Sequence, residues 1–328
     1  MQSLCCPIDL CPAPLEVSVV KLTPARTSPA VHSAPRMRWQ WLNREGPLGY
    51  LLISPAMLFL LFMLGYPFVI AIMLSLSEKR LGAPATFVGF ENFAKLFASP
   101  RFWLTVQNTL VYTAGALVFK FAGGLALAQL LNRDFVGKRL ATALILLPWI
   151  IPTVFSTLAW WWMLDPANSI INIMLKRWGL ITNNLPFLVD SAWAMSSLIF
   201  LNVWRGVPFF AITFLAALQT VPEELHEAAK IDGANAWQRF WRIAFPLIVP
   251  VVIIVVLIST ISTLADFELP YLLTKGGPRD ATMVFGLLSY DYALGLGQLG
   301  LGSAISIAML PFLAVLVVFS LLEVRRSQ

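Results

Sequence analysis

Charge is what this chain has least of. Only 12% of its 328 residues are Asp, Glu, Lys or Arg, about half the share of an ordinary soluble domain, which excludes a water-soluble fold. Histidine is nearly absent. His32 and His226 are the only two, there is no His-Glu-x-x-His run, and carboxylates inside apolar stretches are scarce. A metal-dependent intramembrane enzyme is therefore not expected, nor any metal or cofactor. The three cysteines, Cys5, Cys6 and Cys11, lie far from the apolar body, which excludes disulfide or thiol chemistry there, and their Cys-Cys-x4-Cys spacing fits no zinc site. No Gly-x4-Gly-Lys-[Ser/Thr] loop occurs, so the chain does not cradle ATP phosphates in that way.

What is present is apolar residue, 58% of the total. A hydrocarbon core of ~30 Å takes about 20 residues of helix to cross. Six runs have that length: Leu48–Leu76, Leu104–Leu131, Leu140–Leu164, Ala192–Leu218, Pro246–Leu269 and Ser303–Leu322. Backbone polar groups find no water in lipid, so all six are expected to be helices and sheet is not expected in quantity. The fold class is all-α, a polytopic membrane protein with six spans.

The net charge of +6 does not point to nucleic acid, because the basic residues flank the apolar runs, where they set orientation. Eleven of them (Arg36, Arg38, Arg44, Arg133, Lys138, Arg139, Lys230, Arg239, Arg242, Arg325, Arg326) fall on one side and eight (Lys79, Arg80, Lys95, Arg101, Lys176, Arg177, Lys275, Arg279) on the other. The positive-inside rule places the first set in the cytoplasm. An even number of spans then puts both termini there too.

Residues 1–44 are rich in Pro, Ser, Ala and Thr without apolar period and read as a disordered tail. No basic and apolar leader precedes its cysteines, so it reads as neither signal peptide nor lipoprotein site. Met37-Arg38-Trp39 has the short basic and aromatic character of a membrane-protein start, and either Met1 or Met37 reads as the initiator. Residues 45–103 hold the first span and an amphipathic segment outside the membrane, residues 104–324 the main transmembrane body, and residues 325–328 a cytoplasmic end. Gly65-Tyr66-Pro67 signals a kink. Trp160-Trp161-Trp162 sits at the level of an aromatic belt, a short helix is expected around Ile170–Leu175, and Leu273-Thr274-Lys275-Gly276-Gly277-Pro278 reads as a turn.

One segment, residues 220–245, is too polar for a bilayer. Thr220-x-x-Glu223 reads as a capping box with Pro222 in the first turn. A short helix carrying Leu225, Ala228, Ala229 and Ile231 follows, Gly233 ends it in a conformation that would strain other residues, and a second helix carries Trp237, Phe240 and Trp241. Pro246 then opens the next apolar run. A small-residue surface at Ala228 and Ala229 lets another protein approach the backbone closely. The bland reading is an interfacial helical hairpin with no partner.

Three further positions stand out as ionisable groups within or at the ends of spans. Lys120 lies 11 residues from the end of its run at Leu131, roughly 16 Å at ~1.5 Å per residue. That depth requires either a helix interface, with the ammonium on carbonyls, or a wet cavity. Asp266 and Glu268 sit at the outer end of the fifth run, lining an outer vestibule or simply interfacial. Arg205, beside Trp204, reads as an interfacial anchor.

The spacing Glu227-Ala228-Ala229, three residues, Gly233, nine residues, Ile243-x-x-Pro246 resembles the coupling loop of binding-protein-dependent ABC importer permeases. Phe245 stands where that pattern favours Leu. Trp204-Arg205-Gly206-Val207-Pro208-Phe209, Leu218-Gln219-Thr220-Val221-Pro222 and Ile231-Asp232-Gly233-Ala234 are similar to the same family, and the resemblance covers about residues 45–324. The first span with Pro55 and Tyr66-Pro67, and the Leu-Thr-x-Gly-Gly-Pro turn, resemble the sugar-importing subgroup, specifically a maltose- or glycerol-phosphate-type first permease subunit.

The resemblance implies a non-catalytic transport subunit of a prokaryotic inner membrane. It would pair with a second permease, two ABC ATPases and an extracytoplasmic solute-binding protein, surrounded by lipid. Glu227, Ala228, Ala229, Gly233, Ile243 and Pro246 would form the ATPase-coupling loop, and Lys120, Asp266 and Glu268 are the candidates for the translocation path. The implied solute is a sugar or oligosaccharide, with glycerol-phosphate, polyamine or amino acid as alternatives. An ion-coupled secondary transporter would call for two related halves with matched helix breaks, and no internal repeat is visible.

Overall fold

The computed structural model describes residues 45–326. The expectations for the tail, including Cys5, Cys6, Cys11, His32 and the alternative start at Met37, lie outside them. The chain divides into two compact units, residues 1–59 and 60–328. In the first, the described residues are the opening of α1 (Glu45–Ser75). This helix continues through Gly65-Tyr66-Pro67 to Ser75, so the signal expected to kink the first span does not end it. Its apolar side chains, among them Leu52, Leu58, Leu61, Phe62 and Leu64, are exposed. A helix apolar on every face is built for lipid or for another apolar protein surface.

In the second unit, two-residue strands β1 (Ser77–Glu78) and β2 (Thr86–Phe87) pair antiparallel. They lead to α2 (Glu91–Ala98) and α3 (Pro100–Leu131). Then come α4 (Lys138–Ile150), α5 (Thr153–Met163), α6 (Ile170–Arg177) and α7 (Ser191–Gln219). Helix α8 (Glu223–Ile231) precedes α9 (Ala236–Arg239), which passes through a π-helical turn at Phe240–Ala244 into α10 (Phe245–Leu264). The chain closes with α11 (Glu268–Leu273), α12 (Phe285–Tyr290), a second π-helical turn at Asp291–Gly295, and α13 (Leu299–Arg326).

All six apolar runs fall on helices. Among the described residues, four helices are long and apolar enough to cross a bilayer: α1, α3, α7 and the continuous helix Ala236–Leu264. The third run is not one straight helix. It breaks after Ile150, and α4 and α5 meet at 91°; counted as one span, the pair makes a fifth. Pro152 has no N–H to extend the ladder and forces Ile151 into an extended conformation, φ −67° and ψ 128°, as expected for a residue preceding proline. The sixth run lies on α13, a helix of 28 residues. The fifth run ends early, at Leu264, because the chain turns before α11.

The core is built on the parallel pair α3 and α7, where Tyr112 meets Asn202, Lys120 meets Gly206 and Phe121 meets Phe214. Tyr112, Ala116 and Ala128 of α3 and Leu198, Leu201, Phe210 and Phe214 of α7 are fully or almost fully buried. Gly124 lets α3 approach so closely that a Cβ there would collide with the Cβ of Phe210, the small-residue contact on which membrane helix pairs depend. Helix α10 packs on both through Ile248, Val252 and Val255. The Trp160–Trp162 cluster splits: Trp161 and Trp162 are exposed, whereas Trp160 turns inward onto Phe200 and Trp204, at 5.1 and 5.5 Å between ring centres.

A clamp fastens the first turn of α3 to the far end of the chain. Arg101 donates from Nε and Nη2 to both oxygens of Asp280 (2.9 and 3.0 Å) and from Nη1 to Asp291 (2.8 Å). Asn108 donates to the Asp280 carbonyl at 2.7 Å. The clamp holds the turn after Leu273, where Lys275 (φ 51°) and Gly276 (φ 85°) are left-handed, as the Gly-Gly-Pro sequence predicts. Arg101→Ala should destabilise the purified chain by about 1.5–3 kcal/mol, toward the lower figure because the partners are about a third exposed. Arg101→Lys should recover only part of this, since an ammonium cannot fork to two carboxylates. Identical melting of all three proteins in detergent would show that the clamp is solvated and carries no stability.

Candidate functional site

Lys120, Asp266 and Glu268, picked out separately in the sequence, line one cavity of about 350 Å³ together with Trp149, Asn202 and Arg205. Lys120 comes from the middle of α3, Asn202 and Arg205 from α7, Trp149 from the end of α4, and Asp266 and Glu268 from the break between α10 and α11. The site therefore sits where four helices and two chain breaks converge. In a helical membrane protein, irregular backbone is tolerated at such depth only when protein or a water-filled cavity surrounds it.

Lys120 is 5% exposed. Its Nζ donates to Thr263 Oγ1 at 3.0 Å and Ser259 Oγ at 3.3 Å, and no carboxylate lies within ion-pair distance among the described residues. The ammonium thus bonds hydroxyls of α10 rather than carbonyls, and the side chain forms part of the cavity wall. Room for the side chain comes from Gly206 across the interface, where a Cβ would stand 2.6 Å from Lys120 Cε. Ser259, Thr263 and Asp266 lie at i, i+4 and i+7, one polar stripe at helical spacing, whereas the hydroxyls of Thr260 and Ser262 bond back to their own helix.

Asp266 is not simply interfacial. Its Oδ2 accepts from Tyr112 Oη (2.6 Å) and Asn202 Nδ2 (3.2 Å), and its Oδ1 from the Leu269 N–H (3.3 Å). Asn202 Nδ2 also donates to Tyr112 Oη at 2.6 Å. This network ties α3 and α7 to the start of α11. Glu268 remains exposed on the cavity rim. Arg205, expected as an interfacial anchor, instead lines the cavity and donates to Thr153 Oγ1 at 2.6 Å. Two buried polar atoms of cavity residues have no partner among the described residues: Asn202 Oδ1, an acceptor, and Arg205 Nε, a donor. Trp149 stacks with Phe209 at 6.2 Å and supplies an apolar wall. Tyr112, Asn202 and Trp149 were missed in the sequence, though polar side chains mid-span at Tyr112 and Asn202 carried a signal.

At the α8 end, the helix-break-helix forms as expected with two changes. Thr220 does not cap α8; it ends α7, and its hydroxyl bonds back to the Ala217 carbonyl at 2.8 Å. A capping box does occur, one helix later, where Asn235 and Gln238 exchange bonds at 2.8 and 2.9 Å. Second, Pro246 opens the apolar run as expected, but the helix that carries Trp237, Phe240 and Trp241 does not stop before it and runs on into α10. Pro246 cannot donate to the Arg242 carbonyl, and the preceding turn widens to π geometry, a local form common at functional sites. Ile243 lies in that turn.

Gly233 has φ +78°. The Gly233 N–H bonds to the Lys230 carbonyl (3.1 Å) and the Ala234 N–H to the Ala229 carbonyl (2.9 Å), the two bonds of a Schellman cap. Ala229 is buried, whereas Leu225 (42% exposed) and Ile231 (88%) point away from the protein, with Ala228 exposed beside them. Glu227 is exposed and makes no hydrogen bond or ion pair among the described residues. Trp237 and Trp241 stack edge to face at 5.5 Å, and Trp241 meets Phe245 at 4.8 Å.

Comparison with known proteins converges on one family. The trehalose/maltose transport system permease protein MalF of Thermococcus litoralis is 34% identical over 274 residues, covering 83% of this chain and 91% of that protein. The sulfoquinovosyl glycerol transport system permease protein SmoG of Agrobacterium fabrum is 32% identical over 290 residues, 87% of this chain and 94% of that protein. Among solved structures, a bacterial ABC transporter involved in the import of the acidic polysaccharide alginate superposes with a TM-score of 0.75 at 27% identity, over 88% of this chain and 98% of that one. Residues 120–326, from the cavity lysine through the coupling-type segment to α13, match the family described as the inner membrane component of binding-protein-dependent transport systems, and the chain belongs to that family.

Proposed function

We propose that the chain is the permease subunit of an ATP-driven importer for a sugar or oligosaccharide, and that the cavity around Lys120 is its solute path. The observation that carries the solute class is the pair of orphaned polar atoms in cavity residues, Asn202 Oδ1 and Arg205 Nε, beside the Trp149–Phe209 stack. A sugar hydroxyl both donates and accepts, so it satisfies an orphaned acceptor and an orphaned donor alike, while a pyranose face lies against an aromatic wall. The relatives named for trehalose, maltose, sulfoquinovosyl glycerol and alginate support the same class.

In this reading both termini and α8 are cytoplasmic, in a prokaryotic inner membrane. Two ABC ATPases, a second permease and an extracytoplasmic solute-binding protein complete the machine. Leu225, Ala228 and Ile231 dock one ATPase, Glu227 pairs with a basic group on it, and Gly233, Ile243 and Pro246 fix the shape of the docked segment. Closure of the ATPases moves α8 and, through the continuous Ala236–Leu264 helix, the wall bearing Ser259 and Thr263. The cavity then alternates its opening.

Proteoliposomes carrying the permease with its partners and binding protein test this. Uptake should require ATP inside the vesicle and be competed by a di- or oligosaccharide. ATP-independent uptake, or competition by amino acids and not by any saccharide, would overturn the reading.

A further inference from the structure

We propose that a second cavity, at the α8 end of the bundle, is a binding site for a phosphate-bearing anion. It encloses about 590 Å³, and its wall includes Gln129, Arg133, Glu223, His226, Lys230 and Arg239. Three cations face it against one carboxylate. None of Arg133, Lys230 and Arg239 is in an ion pair among the described residues, and Arg239 Nε is buried without an acceptor there. A buried donor left unpaired is costly. Two guanidinium forks and an ammonium around one space match the several oxygens of a phosphate better than any neutral occupant.

The cavity is distinct from the surface assigned above to the ATPase. On α8, the cavity residues Glu223, His226 and Lys230 fall at i, i+3 and i+7, one helical face. Leu225, Ala228 and Ile231 occupy another, exposed face. An anion in the cavity would link the end of α3 through Arg133, α8 through Lys230, and α9 through Arg239, bracing the segment from behind. The exposed Trp237 and Trp241, residues that favour the headgroup level of a membrane, place the cavity within reach of an anionic lipid as well as of a soluble phosphate. The inference uses the membrane location of the chain but not its importer role, and its test needs neither ATPase nor solute.

The full-length chain, purified in a neutral maltoside detergent, is titrated with dioleoylphosphatidylglycerol, dioleoylphosphatidylcholine and inorganic pyrophosphate, and binding is read by native mass spectrometry and melting temperature. Phosphatidylglycerol should bind at least about tenfold more tightly than phosphatidylcholine if the source is lipid. If the source is soluble, pyrophosphate alone should bind and raise the melting temperature. In either case Arg133→Gln/Arg239→Gln should weaken the binding by about tenfold or more, the scale of a lost charge-assisted contact. Should the double variant fail to fold, Arg133→Gln alone reads the same loss, because Arg133 is exposed. Absence of binding by both probes, or variants that bind as tightly as the wild type, would overturn the proposal.

Discussion

Gly233→Val and Glu227→Arg should each leave the permease in the membrane at normal abundance and abolish ATP-driven uptake. The two act differently. At Gly233, φ is +78°, and a residue with a Cβ in this region costs about 1–2 kcal/mol, more when β-branched. Nothing lies within 4 Å of a Cβ placed there, so the damage is conformational: the Schellman bonds to Lys230 and Ala229 open and the end of α8 unwinds, while the spans stay folded. Gly233→Asn discriminates, because Asn tolerates left-handed backbone. An active Asn variant with a dead Val variant assigns the requirement to backbone shape, whereas loss in both assigns it to a partner surface with no room for a side chain. Glu227 has no partner within the described chain, so reversing its charge tests the partner alone. Loss of one charge-assisted contact is worth about 1.5–3 kcal/mol, enough for the ATPase to wash from the membrane more readily, and the reversal adds repulsion. Uptake and solute-stimulated ATP hydrolysis at wild-type levels in both Gly233→Val and Glu227→Arg would reduce the segment to an interfacial hairpin.

The polar segment was legible because everything around it is apolar, so a run such as Glu223-Glu224-Leu225-His226-Glu227 cannot be a span. Gly233 was legible because only glycine sits easily where a helix ends left-handed. The break in the third run was not. Pro148 and Pro152 stand four residues apart with similar neighbours, yet α4 runs through the first and ends before the second. What separates them is tertiary: α5 leaves its run to pack on α11, more than 100 residues away in the chain. Distance in sequence also hid the Tyr112–Asn202–Asp266 network, whose members come from three elements. Arg205 was misplaced because a neighbouring tryptophan reads as an interfacial belt, whereas Trp204 packs inward on Trp160. Thr220 was misassigned because α7 extends to Gln219, leaving its hydroxyl to serve the helix that ends rather than the one that begins.

Lys120→Met should abolish or sharply reduce solute uptake while leaving the folded permease as stable as the wild type or more so. The sign of the stability change is the informative part. A lysine held by two hydroxyls, with no carboxylate at ion-pair distance among the described residues, has little to offset its desolvation. Replacing it with an apolar side chain of similar length therefore removes a cost and leaves the Thr263 hydroxyl still donating to the Ser259 carbonyl at 2.7 Å. A purely structural lysine would behave in the opposite way, with the variant melting earlier and uptake falling only in proportion to abundance. Gly206→Val gives a second reading without deleting the charge. Its Cβ would press on Lys120 Cδ and Cε, 2.7 and 2.6 Å away, and drive the ammonium off Ser259 and Thr263, so uptake should fall there too. Full uptake in both variants would remove Lys120 from the solute path. Loss of uptake with unimpaired melting in Lys120→Met, together with loss in Gly206→Val, would place the ammonium among the groups the passing solute meets.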